Sequence, residues 1–256
     1  MSRASAIPHD YLLIDVSNSF TKLAFSTATR VERSTQVPTH KLTRSAVQEF
    51  LRKRPVEAVV VSSVVPAKNG AIRSAAGRTR VLMIDAKCDL GVGVYYPKPE
   101  TIGADRLANA AAVAELYGRP AIVVDFGTAV TFDVVSARGD YIGGVIAPGL
   151  ESMTNFLYDR TALLPRLKLR EPGRAIGRTT RAAMMSGAIY GYRGLVREIL
   201  TRIRAESFAR QKVYVVGTGG YAELIARQLP EIATIHPGLT LEGLRLIANR
   251  NLSPSG

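Results

Sequence analysis

The sequence is poor in the residues that build covalent or metal-held folds. Its 256 residues include one cysteine, Cys88, three histidines and no tryptophan. A lone cysteine forms no internal disulfide, and His9, His40 and His236 are too scattered for zinc-ligand spacing, which argues against a structural metal. The first ten residues, MSRASAIPHD, lack the apolar core of a signal peptide, and no run approaches the ~18 apolar residues of a membrane span. These absences predict a soluble cytoplasmic protein.

Composition and charge narrow the class further. Hydrophobic residues make up 46% of the chain, which excludes a disordered protein and suits two domains of ordinary size. The formal net charge is +13, and residues 160–181 carry seven arginines and lysines against the single acid Glu171. Such a surface attracts anions, but the sequence has no zinc finger, basic zipper or RNA-binding aromatic motif. We therefore do not expect nucleic-acid binding as its primary role.

The stretch Val123–Asp133, VVDFGTAVTFD, joins an apolar strand to residues that suit phosphate. Gly127 lets a bound group approach the backbone, Thr128 adds a hydroxyl, and Asp125 with Asp133 supplies hard oxygens for a cation. An ordinary β-hairpin with a Phe-Gly turn explains this stretch equally well when it is taken alone.

The same pattern occurs near the start of the chain. Tyr11–Phe25, YLLIDVSNSFTKLAF, also has an apolar strand, an aspartate, small hydroxyl residues and a second strand, and Asp15 lies 110 positions before Asp125. This spacing predicts a diverged duplication, with residues 1–118 and 119–256 as two domains. The arrangement resembles the actin, sugar kinase and Hsp70 superfamily. That resemblance implies an α/β fold of two ribonuclease-H-like domains, with the nucleotide in the cleft between them.

Two predicted helices begin with residues that suit substrate binding. Asp105 and Arg106 lie in the first turn of an alanine-rich helix that should run from Gly103 to Gly118. Asp105 is either a helix cap or an ionised carboxylate that accepts a proton. Near Gly177 a second helix begins with two threonines, which either cap it or hold a carboxylate.

Eight blocks in one order make the sequence resemble a type III pantothenate kinase over nearly its whole length. The blocks are DVSNSFTK, SSVVP, YYPKPETIGADR, DFGTAVTFD, GGVIAPG, GRTTRAAMMSG, GTGG and LTLEGL. The resemblance implies that ATP phosphorylates pantothenate on its primary hydroxyl, in the first committed step of coenzyme A synthesis. It also implies a requirement for Mg²⁺ and activation by a monovalent cation, K⁺ or NH₄⁺.

The resemblance further assigns roles to residues at matching positions. Asp105 becomes the base, Asp125 holds the monovalent cation, and Thr128 contacts ATP. The implied pantothenate pocket consists of Tyr96, Gly103, Ala104, Arg106 and Thr180. The implied first phosphate hairpin, which also helps to place Mg²⁺, consists of Asp15, Val16, Ser17, Asn18, Ser19 and Lys22. A homodimer with pantothenate near the subunit interface is implied too, and the apolar helix 104–117 is the expected contact surface.

One departure from the family pattern concerns the first hairpin. Ser17 and Ser19 stand where the family has Gly and Thr, and Ser17 adds a side chain where backbone should approach phosphate. Two alternatives follow from this departure. One is a non-catalytic relative that acts as an accessory transcription regulator, and the other is a kinase for another small hydroxylated acid.

Overall fold

The structure, a computed structural model, describes residues 11–209 and 211–252. The first ten residues, MSRASAIPHD, in which the sequence predicts no signal peptide, lie outside the described residues. Within them the chain forms two compact units, one of residues 11–116 with 238–252 and the other of Tyr117–Pro237. Over the same ranges, none of the helices combines the length and the apolar content that a membrane crossing requires.

The first unit is a mixed α/β unit. Its elements are β1 (Tyr11–Val16), β2 (Phe20–Ser26), β3 (Thr35–Pro38), α1 (Arg44–Lys53), β4 (Ala58–Ser63), α2 (Pro66–Ala76), β5 (Arg80–Met83), β6 (Gly93–Val94) and α3 (Ala104–Leu116), with short 3-10 turns at Thr39–Lys41 and Pro99–Thr101. Five strands lie in the order β3-β2-β1-β4-β5. The first three are antiparallel neighbours, and β4 and β5 continue the sheet in parallel to β1.

The second unit repeats this connectivity. Its elements are β7 (Ala121–Phe126), β8 (Ala129–Val135), β9 (Asp140–Pro148), α4 (Leu150–Arg160), α5 (Thr180–Ser207), β10 (Tyr214–Thr218), α6 (Ala222–Ala226) and β11 (Thr234–Ile235). Strands β7, β8 and β9 form an antiparallel meander, and β10 and β11 extend it in parallel to β7. The order β9-β8-β7-β10-β11 therefore matches that of the first unit, as the duplication predicts, and the predicted α/β class is confirmed.

The central strands are apolar because both of their faces are covered. Every residue of β1 is buried, and β4 is buried from Ala58 to Ser62. In the second unit β7 is buried except at Asp125, which lies near its carboxyl end. Continuous apolar runs are typical of strands that are covered on both faces. A polar side chain within such a strand therefore indicates a role other than core packing.

The last helix, α7 (Leu239–Leu252), does not follow the predicted domain ranges. It packs against α3 in the first unit, where Gly243 lies so close to the Ala108 carbonyl that a Cβ would overlap it. Thr240 also donates to Asn109 across the same helix pair at 2.9 Å. The prediction placed all of residues 119–256 in one domain because the apolar face of a helix does not identify its partner.

The same packing covers most of the apolar surface that the dimer prediction placed on helix 104–117. Nine residues of α3 are buried, among them Ala108, Ala111 and Ala112, and α7 covers this helix within the unit. Small alanine side chains let the two helix backbones approach closely, so the apolar character of α3 serves the core.

Candidate active site

The first hairpin turn is held by Thr39, the residue that follows β3. Residues Ser17, Asn18 and Ser19 connect β1 to β2, and the Ser17 N–H donates to the Phe20 carbonyl at 3.1 Å. The Thr39 hydroxyl donates to the Ser17 carbonyl at 2.7 Å, and the Thr39 N–H donates to the Ser19 carbonyl at 3.0 Å. Thr39 therefore fixes both ends of the turn. This role of Thr39 was not predicted, because a single threonine after a strand has many explanations.

Polar side chains gather on one face at the end of β1. Asp15 is buried, and Lys22 of β2 lies directly opposite it in the antiparallel register, so both side chains point to the same face. Ser62 of β4 is in register with Asp15 on the other side. The Ser62 hydroxyl is fully buried and has no hydrogen-bond partner among the described residues. Ser62 is therefore a buried polar group next to Asp15, and from the sequence it was identified only as part of the family block SSVVP.

The start of α3 brings Asp105 to the same part of the first unit. Val64 connects the two regions, because its N–H donates to the Val16 carbonyl at 3.1 Å and its Cγ1 lies 3.5 Å from the position of a Cβ on Gly103. Ala104, Asp105 and Arg106 begin the helix directly after Gly103. The structure thus assembles the first hairpin and the predicted Gly103–Arg106 segment into one cluster, which we call the first-unit site.

Asp105 combines burial with close contacts. Its Oδ1 accepts the Arg106 N–H at 2.9 Å, and a Cβ on Gly103 would lie only 2.5 Å from the same oxygen. Burial raises the pKa of the Asp105 carboxyl, while the Arg106 N–H bond and guanidinium charge partly oppose the rise. A carboxylate with a raised pKa accepts a proton more readily at neutral pH. Gly103 is the residue that leaves room for the carboxylate.

The second hairpin turn is equally well supported. The Gly127 N–H donates to the Ala129 carbonyl at 3.1 Å, as Ser17 does to Phe20 in the first hairpin. The Thr128 carbonyl accepts the Gly149 N–H at 3.1 Å and the Ser152 hydroxyl at 2.8 Å. The Thr128 carbonyl is thereby held toward α4, and Thr128 itself is exposed at the turn.

Gly127 is not required by the packing of the protein. A Cβ there would meet no atom closer than 3.5 Å, and its φ is not in the left-handed region. The fold therefore does not restrict position 127 to glycine. A glycine at an exposed turn after a buried strand is consistent with a ligand that approaches the backbone closely. Gly149 is the reverse case, because a Cβ there would overlap the backbone of residues 127 and 128.

Asp125 is held in place by a turn distant in sequence. Gly219 has φ +91°, and a Cβ on it would overlap the Asp125 Oδ1 and lie 2.6 Å from the Phe126 nitrogen. The Tyr221 N–H donates to the Phe126 carbonyl at 3.2 Å and ties the same turn to the strand end. Asp125, Gly127, Thr128 and Gly219 form the second-unit site. Asp133, the other predicted oxygen donor, is fully buried and accepts hydrogen bonds from Thr131 and Tyr141.

Two predicted pantothenate residues lie outside these clusters of contacts. Tyr96 is in the loop after β6 and is 36% exposed. Thr180 is the first residue of α5, and the hydroxyl of the preceding residue, Thr179, accepts the Ala182 N–H at 3.2 Å. Thr179 is thus the helix cap, which leaves the exposed Thr180 hydroxyl available for another role.

The carboxylates fit a metal that is held mainly by phosphates. Among the described residues no group of three or more His, Cys, Asp or Glu side chains could hold a metal ion by itself. Mg²⁺ in kinases usually keeps several waters and binds through one or two carboxylates and the substrate phosphates. Asp15, a buried carboxylate next to the first turn, suits that coordination, and Asp125 offers one carboxylate in the second unit.

Comparison with known proteins identifies the family. A family model described as type III pantothenate kinase matches residues 11–202. The chain belongs to the type III pantothenate kinase family. A relative of this name from Akkermansia muciniphila is 49% identical over 249 residues, covering 94% of this chain and 99% of its own.

Solved structures agree on the fold. A putative Baf family transcriptional activator from Campylobacter jejuni has a TM-score of 0.62 at 17% identity and covers 93% of this chain and 97% of its own. The inorganic polyphosphate/ATP-glucomannokinase of an Arthrobacter species has a TM-score of 0.50 at 16% identity, with 94% and 98% covered. At such identities the likeness shows the fold alone, and it confirms the actin-like, sugar kinase type of two-domain fold.

Proposed function

We propose that this type III pantothenate kinase transfers the γ-phosphoryl group of ATP to the primary hydroxyl of pantothenate, the first step of coenzyme A synthesis. The family match supports this function, and the observation that carries it is the half-buried Asp105 carboxylate beside Gly103 at the start of α3, where its Oδ1 accepts the Arg106 N–H. The cytoplasm, where ATP is available, is the proposed location.

In the first unit, Asp105 accepts the hydroxyl proton as the substrate oxygen forms its bond to the γ-phosphorus and the bond to ADP breaks. Arg106 sits beside the base and suits the negative charge of the substrate. Gly103, Ala104 and Tyr96 complete the part of the pantothenate pocket that the first unit supplies, and Thr180 stays a separate proposal for the second unit. Phosphoryl transfer depends mainly on alignment and charge stabilisation, which the rigid supports of these residues provide.

The two hairpins are proposed to bind the nucleotide. In the first, Val16, Ser17, Asn18 and Ser19 present the turn, while Asp15 and Lys22 offer charges of both signs to Mg²⁺ and phosphate. In the second, Thr128 contacts ATP and Asp125 holds the monovalent cation. Mg²⁺, when bound, neutralises charge on the phosphates, and the protein orients them through the fixed backbone of the two turns.

An acceptor panel tests the proposed function. Purified protein is incubated with ATP, Mg²⁺, K⁺ and one of several small hydroxylated acids, and ADP release is followed. We expect release with pantothenate and little with the others. Faster release with another acid favours the alternative kinase. No release with any acceptor, together with salt-sensitive binding to DNA, favours the accessory transcription regulator.

Activity is expected to depend on K⁺ or NH₄⁺ and to be poor in Na⁺ alone. The physical reason is that Asp125, which packs against the Gly219 turn, supplies one oxygen ligand of the proposed site, and the number and spacing of the ligands set which ion fits. Initial rates in the three chloride salts at equal ionic strength measure the effect, and Asp125→Asn should abolish the difference. Equal wild-type rates in all three salts contradict the assignment.

Ser17 is expected to weaken ATP binding, because it occupies the position that Gly127 holds in the second hairpin. Ser17→Gly should lower the apparent KM for ATP with little effect on pantothenate, since bare backbone approaches the phosphates more closely. The glycine should also reduce the free energy of unfolding by roughly 0.4–1 kcal/mol, because it gives the unfolded chain more conformational entropy to lose on folding.

Ser17→Ala distinguishes a steric effect of the Ser17 side chain from a hydrogen bond between its hydroxyl and a phosphate. If the serine hydroxyl itself donates to a phosphate, both Ser17→Gly and Ser17→Ala should raise the KM for ATP. If neither variant changes ATP kinetics, the first hairpin does not bind the nucleotide.

The proposed homodimer needs a surface other than α3. Apolar side chains are exposed on α4 instead, where Phe156 is 60% exposed and Met153 and Leu157 lie one turn or less away. Exposed apolar clusters of this kind mark interfaces. We expect a dimer by light scattering, and Phe156→Glu should shift it to monomer. A fully active wild-type monomer at assay concentration rules the dimer out.

A further inference from the structure

A long irregular loop in the second unit has no role in the proposed reaction. Residues 161–179, between α4 and α5, contain neither helix nor strand. Loops longer than about 12–15 residues are uncommon in compact domains and usually functional or disordered. The contacts of this loop decide between those two possibilities.

The loop is fixed against the second-unit core and α5. Leu167 and Leu169 pack on the core, so the alternating basic residues between and beside them point outward. The buried Ser186 hydroxyl donates to the Arg174 carbonyl at 2.7 Å, and the Arg181 guanidinium donates to the Arg166 carbonyl at 2.9 Å. These contacts give the loop a defined conformation.

This loop and the first turns of α5 line an open cavity of about 790 Å³. That volume lies within the range of small-molecule pockets, roughly 300–1,000 Å³. Five basic residues line it, and we call it the basic cavity. They are Lys168, Arg170, Arg174, Arg178 and Arg181.

The positive charge of the basic cavity is not balanced by the protein. Among the described residues that line the cavity, one is acidic, Glu171. It forms an ion pair with the buried Arg193, whose guanidinium donates to both carboxylate oxygens at 2.8 and 2.6 Å. That bond lowers the pKa of Glu171 and compensates its charge. Within residues 11–209 and 211–252, no carboxylate lies within ion-pair distance of Lys168, Arg170, Arg174 or Arg178.

We propose that the basic cavity binds a soluble ligand that carries at least two phosphate groups. Clustered like charges repel one another and are stabilised by a multivalent anion, and the arginine fork matches phosphate oxygens with two parallel hydrogen bonds. Ile176 and Met185 add apolar surface for the rest of the ligand. Among the described residues the lining has no aromatic side chain on which a base could stack, and a volume of about 790 Å³ suits a small ligand rather than a nucleic-acid strand.

Calorimetric titration with tripolyphosphate tests the proposal on the full chain. Pantothenate is kept saturating, whereas nucleotide and Mg²⁺ are left out, because an ATP analogue carries the same phosphates and would itself occupy the cavity, and tripolyphosphate chelates Mg²⁺. The wild type should bind one tripolyphosphate in the cavity, and any second binding event at the nucleotide site should be the same in all variants. Arg174→Gln combined with Arg178→Gln should lose at least about tenfold in affinity, because two charge-assisted contacts disappear. Lys168→Gln combined with Arg170→Gln should show the same loss.

A matched control separates the cavity from net charge. Arg202→Gln combined with Arg227→Gln removes two equal charges from exposed helix arginines that pair with Glu198 and Glu223 outside the cavity. This control should bind like the wild type, and thermal unfolding confirms that each variant is folded. The proposal is overturned if the wild type does not bind, if the control loses as much as the cavity variants, or if duplex DNA binds the same arginines more tightly. Kinase activity is not the readout, so the result is independent of the proposed reaction.

Discussion

Asp105→Asn is expected to abolish phosphorylation and, at the same time, to raise the thermal stability of the protein near neutral pH. The asparagine keeps the volume of the side chain and an oxygen that accepts the Arg106 N–H, but it cannot accept the substrate proton. Loss of a positioned base typically costs about 10²–10⁴ in rate. Pantothenate binding and the fold should be retained.

The stability gain follows from the sign of the pKa shift. Burial raises the pKa of Asp105 in the folded protein, so its stabilising contribution is present below the unfolded pKa and is lost as pH rises through the folded pKa. At neutral pH the ionised carboxylate therefore destabilises the fold, and asparagine removes that cost. The melting temperature of the variant should exceed that of the wild type at pH 7–8, and the difference should shrink in acid. If Asp105→Asn turns over at nearly the wild-type rate, or if the variant and the wild type are equally stable at every pH, Asp105 acts only as a helix cap.

Gly219→Ala is expected to damage both stability and activity. The φ of +91° is unfavourable for any residue with a side chain, which costs about 1–3 kcal/mol, and the new Cβ overlaps the Asp125 carboxylate and the Phe126 backbone. The turn must move, and Asp125 and the second hairpin must move with it. A displacement of about 1 Å in a site of this kind costs roughly 100-fold in rate.

Gly220→Ala is the matched control for that prediction. Gly220 is the next residue, has no φ in the left-handed region, and a Cβ on it meets nothing within 4 Å. Its melting temperature should stay close to that of the wild type, while that of Gly219→Ala falls by several degrees. If the two variants unfold at the same temperature, Gly219 does not brace Asp125.

The sequence predicted the parts of the site that follow from local pattern. Asp15 and Asp125 each end an apolar strand before a turn of small residues, and the two hairpins formed where that pattern placed them. The start of α3 at Ala104 followed from the glycine before an alanine-rich run. The family blocks then connected these segments to one reaction, which no single segment identifies.

The supporting contacts were not predictable, because they join residues far apart in the chain. Thr39 fixes the Ser17 turn across 22 positions, and Ser152 fixes the Thr128 carbonyl across 24. Gly219 braces Asp125 through a backbone approach that is visible only once the parallel pairing of β7 and β10 is known. The packing of α7 against α3 could not be predicted either, because the apolar face of a helix does not indicate which core it packs against.

The most direct measurement is mass spectrometry of pantothenate after incubation with the wild-type protein, ATP, Mg²⁺ and K⁺, with Asp105→Asn in parallel. The wild type should convert pantothenate to phosphopantothenate with one ADP formed for each product, and the Asp105→Asn reaction should contain none above background. Absence of phosphopantothenate from the wild-type reaction, with the protein folded and dimeric, contradicts the assignment of this chain as an active pantothenate kinase.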